Sequence, residues 1–395
     1  MWLMGGFFAR GAGVLVAGVA VAGLSVPAVA ARAVTSPGTA AASGWRLTSV
    51  FGTGAANIDA ASPAGITAPG RDSAWSIWNG CTWPCDSATP APVVRHWNGR
   101  QWAAIPARDL HGLSAIAVTA SSARDAWLFG SFPDAKAPDG TIEGALHWNG
   151  TAWTRRTVPD WLIKINGSGN TDLYPADFGR SGTWVFSLGG YIGEKAAFAG
   201  RYHNGRWTKV RLPNVPDSAA ALSVNDVWVL GPELAHPSRS VLAHWNGKRW
   251  STTSVPRQSV AGEAGALVAT GPRDLWMSWF PTKSGAPGYL LHWAGGRWTK
   301  VRPPGGDQGG PAVSDGAGGF WGTGFAAGKK RVQLFLHWRS GRWTTTRVPN
   351  GTHEPGNVDE LALIGGTRSV WATGNVFGPG DGTTLNRGTI WRYTP

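Results

Sequence analysis

Five histidines stand in one recurring setting, as His96-Trp97, His147-Trp148, His244-Trp245, His292-Trp293 and His337-Trp338. Imidazoles converging in such number would make a metal centre. A recurring acid precedes a second set of tryptophans (Asp72, Asp125, Asp226, Asp274), and further acids, Asp59, Asp172, Asp217, Glu263, Asp307, Asp359 and Glu360, lie between repeated segments, with His111 among them. Two carboxyl groups about 5 to 9.5 Å apart could hydrolyse a glycosidic bond, and several oxygen donors together could hold Ca²⁺. Cys81 and Cys85, the only two cysteines, bracket Thr82-Trp83-Pro84. Two thiols exclude a disulfide-rich scaffold and a four-cysteine zinc site. Which of these groups can meet depends on the elements that carry them.

The histidines belong to a repeat. Its second half reads His-Trp-Asn-Gly-x-x-Trp, as in His96 to Trp102 and His147 to Trp153, with variants Tyr202 to Trp207, His244 to Trp250, His292 to Trp298 and His337 to Trp343. The first half is Asp-x-Trp followed by apolar residues and often Gly, and its tryptophan recurs as Trp75, Trp127, Trp184, Trp228, Trp276, Trp321 and Trp371. The mean spacing is about 49 residues, the period of a repeat architecture. Seven first halves face six second halves. The missing closing strand stands at the other end of the chain, where Gly44 to Val50 matches Gly296 to Val301, and Thr389 to Tyr393 supplies the strand before it.

Asn-Gly and Gly-Arg between short β-favouring runs predict hairpins with type I′ turns. A short apolar run before each Asp-x-Trp, such as Ala115 to Val118, brings the unit to four strands, and no window carries a sustained 3.6-residue period. The expectation is an all-β, seven-bladed β-propeller over residues 44–395, closed by pairing of strand 44–50 with the C-terminal strands. The histidines then sit on the third strand of separate blades, about 10 Å outside the first at about 4.8 Å per strand. They diverge and cannot share an ion, so a structural role is expected. The repeated Asp is expected to bond turn amides between first and second strands.

The pattern Asp-x-Trp-x-x-Gly followed by Leu-x-His-Trp-Asn-Gly-x-x-Trp resembles the repeat of secreted actinobacterial-type propellers grouped with kelch and galactose-oxidase-like propellers. The resemblance implies the fold and assigns no catalytic residue; the copper ligands of a galactose oxidase have no Cys/Tyr/His counterpart here.

Twenty of the 25 tryptophans fall on repeat positions and are assigned to packing between blades. Lys+Arg number 36 against 23 Asp+Glu, for a net charge of +13, but eighteen of the cations are spread over all the closing hairpins. That distribution protects open sheet edges and argues against nucleic acid, which needs a single basic stripe.

Departures from the pattern carry the functional signal. Gly stands three residues after the Asp-x-Trp tryptophan in four blades (Gly130, Gly231, Gly324, Gly374) and Ser187 in another, but Trp78 and Trp279 stand there in the first and fifth. With Trp83 and Trp161 they are expected on the face that holds the second-to-third-strand loops, where indoles stack on sugar rings; packing of the loops themselves is the competing reading. Asp217, Glu263, Asp307 and Glu360 are expected on the connections into the innermost strands, where they would focus a negative potential for a cation such as Ca²⁺ or a polar ligand, unless they are ordinary turn residues.

Arg10, the uncharged run Gly11 to Val26 and Ala28-Val29-Ala30 lay out a signal peptide over 1–30, followed by an unstructured lead-in over 31–43. Export predicts an extracellular, monomeric protein without a membrane anchor, and an oxidising compartment in which Cys81 and Cys85 form a loop disulfide. The leading expectation is a secreted, non-catalytic propeller binding a glycan or cell-surface polymer and needing no cofactor. Alternatives are a glycoside hydrolase or lyase using Asp217, Glu263, Asp307 or Glu360, and a protein-interaction platform.

Overall fold

A computed structural model describes residues 43–395 other than 52–57, 83–90, 107–109, 138–139, 164–172, 177–182, 188–195, 204, 260, 284–285, 305–312, 327–331 and 378–385. The expected leader and nearly all of the lead-in, Trp83, Cys85, Asp172 and Asp307 therefore lie outside the described residues. So do the side chains of Asp59 and Cys81, and with them the disulfide.

Seven four-stranded antiparallel sheets follow one another along the chain. Blade 1 is Ile58–Gly70, Ser73–Thr82, Ala91–Trp97 and Trp102–Ala104; blade 2 is Ser114–Ser122, Asp125–Pro133, Thr141–Trp148 and Trp153–Arg156. A helical turn, Asp160–Ile163, leads to blade 3: Leu173–Ala176, Thr183–Ser187, Ala197–His203 and Arg206–Leu212. Blade 4 is Ser218–Ser223, Asp226–Pro232, Ser240–Trp245 and Trp250–Ser254; blade 5 is Gly262–Gly271, Asp274–Pro281, Tyr289–Ala294 and Arg297–Val301. Blade 6 is Val313–Ser314, Phe320–Phe325, Gln333–Arg339 and Arg342–Arg347. Blade 7 takes Glu354–Leu363, Val370–Phe377 and Asn386–Thr394 from the C-terminus and its outer strand, Gly44–Val50, from the N-terminus. Trp45 pairs with Tyr393 in that closing ladder. The first strand of each blade neighbours the first strand of the next, from blade 1 round to blade 7 and back to blade 1. This is the expected seven-bladed ring.

Each Asp-x-Trp indole crosses a seam to the next blade. Trp371 of blade 7 lies 5.2 Å from both Trp97 and Trp102 of blade 1, and Trp75 of blade 1 lies 5.8 and 5.5 Å from Trp148 and Trp153 of blade 2. Trp127 meets Tyr202 at 4.6 Å, Trp184 meets Trp245 and Trp250 at 6.0 Å, Trp228 meets Trp293 at 5.0 Å and Trp276 meets Trp338 at 5.4 Å. The circle closes where Trp321 of blade 6 meets Trp45 at 5.3 Å and Tyr393 at 4.5 Å. The receiving pair is made of residues opposite one another across the outer hairpin, such as Trp97 and Trp102 or Trp45 and Tyr393.

On its own blade the same indole stacks on the histidine opposite it: Trp228 on His244 and Trp276 on His292 at 3.9 Å, and Trp321 on His337 at 4.0 Å, within 11° of parallel. The repeated Asp holds that imidazole rather than turn amides, which corrects the expectation. His147, His244 and His292 place Nε2 2.8, 2.9 and 2.7 Å from Oδ1 of Asp125, Asp226 and Asp274. A carboxylate only accepts, so Nε2 carries the proton. Asp72 is not part of the series; the equivalent position is Ser73, whose hydroxyl lies 3.3 Å from His96 Nε2. Blade 6 uses Asp315, from the preceding turn, which takes His337 at 2.9 Å and also the amides of Ala317 and Gly319 at 2.7 and 2.8 Å.

The hairpin turns also differ from expectation in three blades. Gly295-Gly296 and Ser340-Gly341 have positive φ at both positions, as type I′ requires. In the hairpins at Asn98-Gly99, Asn149-Gly150 and Asn246-Gly247 only the glycine does. There the Asn carboxamide oxygen accepts the amides two and three residues on, at 3.0 Å from Asn98, Asn149 and Asn246, an Asx arrangement that closes a longer loop.

The Gly after Asp-x-Trp is fixed by a close approach. A Cβ at Gly130 or Gly374 would overlap the carbonyl oxygen of Ser114 or Asn357 on the innermost strand, and one at Gly231 that of Val215 just before it. Gly231→Ala is expected to cost about 2 kcal/mol or more in urea unfolding; Gly70→Ala, where a methyl meets nothing within 4 Å, should stay within about 0.5 kcal/mol.

The Asp315 carboxyl gives a pH-dependent contribution. Burial pushes its pKa up, but the His337 hydrogen bond and the amides of Gly319 and Ala317 outweigh it and hold the group below its usual range. A depressed carboxyl stabilises the fold fully above its unfolded pKa, and that contribution is lost as pH falls through the folded value. Asp315→Asn should therefore destabilise by about 1–3 kcal/mol at pH 7, with the gap to the parent chain narrowing below about pH 4.

Candidate functional site

The close approach that selects Gly also shapes the innermost strands. In blade 2, Ala115 pairs with Gly130 and Ala117 with Phe129, so Ile116 is an extra residue in a bulge. Blade 7 repeats it, with Val358 opposite Gly374, Glu360 opposite Thr373 and Asp359 extra. In blade 4 the amides of Val215 and Asp217 donate to the carbonyls of Pro232 and Leu230, which puts Pro216 and Asp217 across from Gly231 alone. A bulge re-aims the residue it contains. The ring thus presents Ile116, Asp217 and Asp359 from equivalent points on its inner edge.

These carboxyls are not ordinary surface acids. Water reaches Asp217, but protein surrounds the group on most sides, and this burial, helped by the charge of Glu263 on the innermost strand of blade 5, pushes it up to about 6. Burial pushes Asp359 up to about 6, and its Oδ2 is enclosed without a hydrogen-bond partner. Glu360 is pushed up to about 7, by burial first and the Asp359 charge second. Among the described residues no cation pairs with any of the four. At neutral pH the blade 7 pair therefore both accepts and donates hydrogen bonds, a property suited to hydroxyl or amine groups.

The supports are rigid. Gln333, at the start of the third strand of blade 6, accepts the Val358 amide at 2.9 Å and donates to the Val358 carbonyl at 3.4 Å, pinning the blade 7 bulge from across the seam. Asn375 accepts the Asn357 amide at 2.8 Å. Ser218, next to Asp217, accepts the Leu267 amide of blade 5 at 3.0 Å and so fixes blades 4 and 5 to each other. Gln333 and Asn375 were not among the expected site residues; nothing in their local sequence distinguishes them.

The structure brings Asp217 to Glu263 and Asp359 to Glu360, the first pair spanning blades 4 and 5 and the second on blade 7. It does not bring together the three expected tryptophans that are described. Trp78 is 1% exposed and belongs to the blade 7–blade 1 seam, edge-on to Phe51 at 5.5 Å. Trp279 packs in the blade 4–blade 5 seam, 6.5 Å from Tyr289, with its indole N–H enclosed. Trp161, on the helical turn, packs in the blade 2–blade 3 seam with the Lys209 ammonium 5.4 Å from its ring. Three indoles in three seams form no common platform. Trp78 and Trp279 occupy positions where the small-residue rule is relaxed, and all three fill the seams instead.

Among the described residues no three of His, Cys, Asp and Glu cluster closely enough to hold a metal ion. The described carboxyls thus fall short of the six to eight oxygens typical of Ca²⁺.

No family model matches the chain, and no curated protein does. Among solved structures it is similar to YCF48 bound to a D1 peptide, at 13% identity over 89% of this chain and 97% of that one with a TM-score of 0.46. It is also similar to the six-bladed fucose-recognising lectin of Aleuria aurantia, at 14% identity over 75% and 98% with a TM-score of 0.46, and to the α-L-arabinanase of Penicillium chrysogenum, at 12% identity over 68% and 88% with a TM-score of 0.41.

Raised carboxyls oppose folding. The folded state holds a proton on Glu360 that the unfolded chain has released, so stability falls as pH rises from about 4.5 towards 7 and the full cost persists above it. Glu360→Gln is expected to stabilise the protein by about 1–3 kcal/mol at pH 8 and to make no difference near pH 4, read from urea midpoints across that range.

Proposed function

We propose that the chain is an exported binding propeller whose ligand sits at the inner edge of the ring, against Asp217, Glu263, Asp359 and Glu360. The observation that carries this is the pair of equivalent bulges that put an acid without a cation partner among the described residues on blades 4 and 7, Asp217 open to water and Asp359 with its Oδ2 enclosed, in a protein with a net charge of +13. Burying such groups is costly; a ligand offering several hydroxyl or amine donors would satisfy them. A glycan or cell-surface polymer has that chemistry, and export follows from the leader layout at 1–30.

A hydrolytic reading has one observation in its favour. Asp217, raised to about 6 beside the Glu263 charge, would hold its proton below about that pH next to a carboxylate, the pairing that glycoside cleavage uses.

Binding to immobilised glycans and to whole cell walls tests both readings. The parent chain should be retained by a defined polymer, and Asp217→Asn combined with Asp359→Asn should weaken retention about tenfold or more while the fold persists. Unchanged retention by that variant contradicts the site. Release of new reducing ends from the retained polymer, abolished by Asp217→Asn, would establish hydrolysis instead.

A further inference from the structure

The corner that holds Asp and His in most blades is rebuilt in blade 7. Opposite Trp371 stands Arg392 in place of His, and the Asp position is Ser369, preceded by the exposed Arg368. The Arg392 guanidinium carbon lies 4.9 Å from the Trp371 ring centre and 5.9 Å from that of Trp97 in blade 1. Trp97 in turn donates its indole N–H to the Arg71 backbone carbonyl at 3.1 Å, so the Arg71 main chain and the Arg392 guanidinium both lie at one indole. Arg392 makes no ion pair among the described residues, and its Nε is enclosed without a partner. Burial, and then the charge of Arg71, pull its pKa down. Asp72 is exposed and lies against the turn at Gly99.

Where blades 2, 4, 5 and 6 carry an anion of their own, blade 7 carries a cation beside a second cation and a buried serine. A guanidinium in that state lacks an acceptor, and its planar fork matches an oxyanion. We infer that the seam between blades 7 and 1 is an anion site, in which Arg392 and Arg71 take a phosphate group, free or carried on a polymer. Arg392 is only partly buried, so its forked end is reachable from solvent. The site is separate from the inner-edge carboxyls, and each can fail without the other.

The test is calorimetric titration of the full chain at fixed ionic strength with inorganic phosphate and, separately, with a soluble glycerol phosphate oligomer. Saturable binding is expected for the parent. The double variant Ser369→Asp with Arg392→His rebuilds the Asp–His pair of the other blades and should fold, yet bind about tenfold or more weakly. Arg392→Lys should fall between, because it keeps the charge and loses the fork, and Arg71→Ser provides a second, surface variant that should weaken binding several-fold. Tighter binding of the oligomer per phosphate assigns the polymer, and equal binding assigns the free ion. Absence of saturable binding by the parent chain to either probe, or binding unchanged in both the double variant and Arg71→Ser, overturns the inference.

Discussion

Every blade depends on its neighbour through one contact, the insertion of the repeat indole, which stands opposite a His or Arg on its own sheet, against the aromatic pair of the next blade's outer strands. Radial sheets have few hydrogen bonds to offer each other, so seams are held by side-chain burial, and aromatic rings bury more surface than any other side chain. The arrangement is directional. Each indole is given to the following blade and each pair receives from the preceding one, so a chain of such contacts is complete only as a circle. Trp45 comes from the start of the chain and Tyr393 from its end, and together they receive Trp321. Pairing of the two termini is therefore a requirement of the same contact that holds the other six seams.

That scaffold frees the inner edge. With burial concentrated on the second, third and outer strands, the innermost strands need only follow the ring, and a bulge on them costs little packing. The carbonyl crossing over Gly130, Gly231 and Gly374 makes the bulge, and polar side chains such as Gln333 and Ser218 hold it from the adjacent blade. Carboxyls displaced towards protonation at two of these points are the local departure from a fold that is otherwise internally consistent, and such departures are expected where function lies.

The period near 49 residues, the surplus of first halves over second halves, and the match of Gly44 to Val50 with a closing strand were enough to read the ring and its closure from the residues alone. Pairing of Asp with His was not read, because it needs the register of the second strand against the third, which the sequence pattern does not give. A signal for it was nevertheless present: Ser369 and Arg392 depart from the pattern together in blade 7. Asp217 and Asp359 were legible as acids near the innermost strands but their equivalence was not, since Asp217 stands 11 residues before Trp228 and Asp359 12 before Trp371, which puts them out of step in the repeat. Trp78 and Trp279 were legible as exceptions but not as packing residues, because whether an indole at a strand end faces solvent or a seam depends on the neighbouring blade.

The circular aromatic contact can be measured where it matters most. A double-mutant cycle with Trp321→Leu and Tyr393→Leu reports the coupling across the seam joined by the two termini, and the same cycle with Trp75→Leu and Trp148→Leu reports an ordinary seam. The account predicts equal couplings of about 0.5–1.5 kcal/mol at both. A coupling at Trp75 and Trp148 with none at Trp321 and Tyr393 would contradict a ring held closed by the same contact throughout.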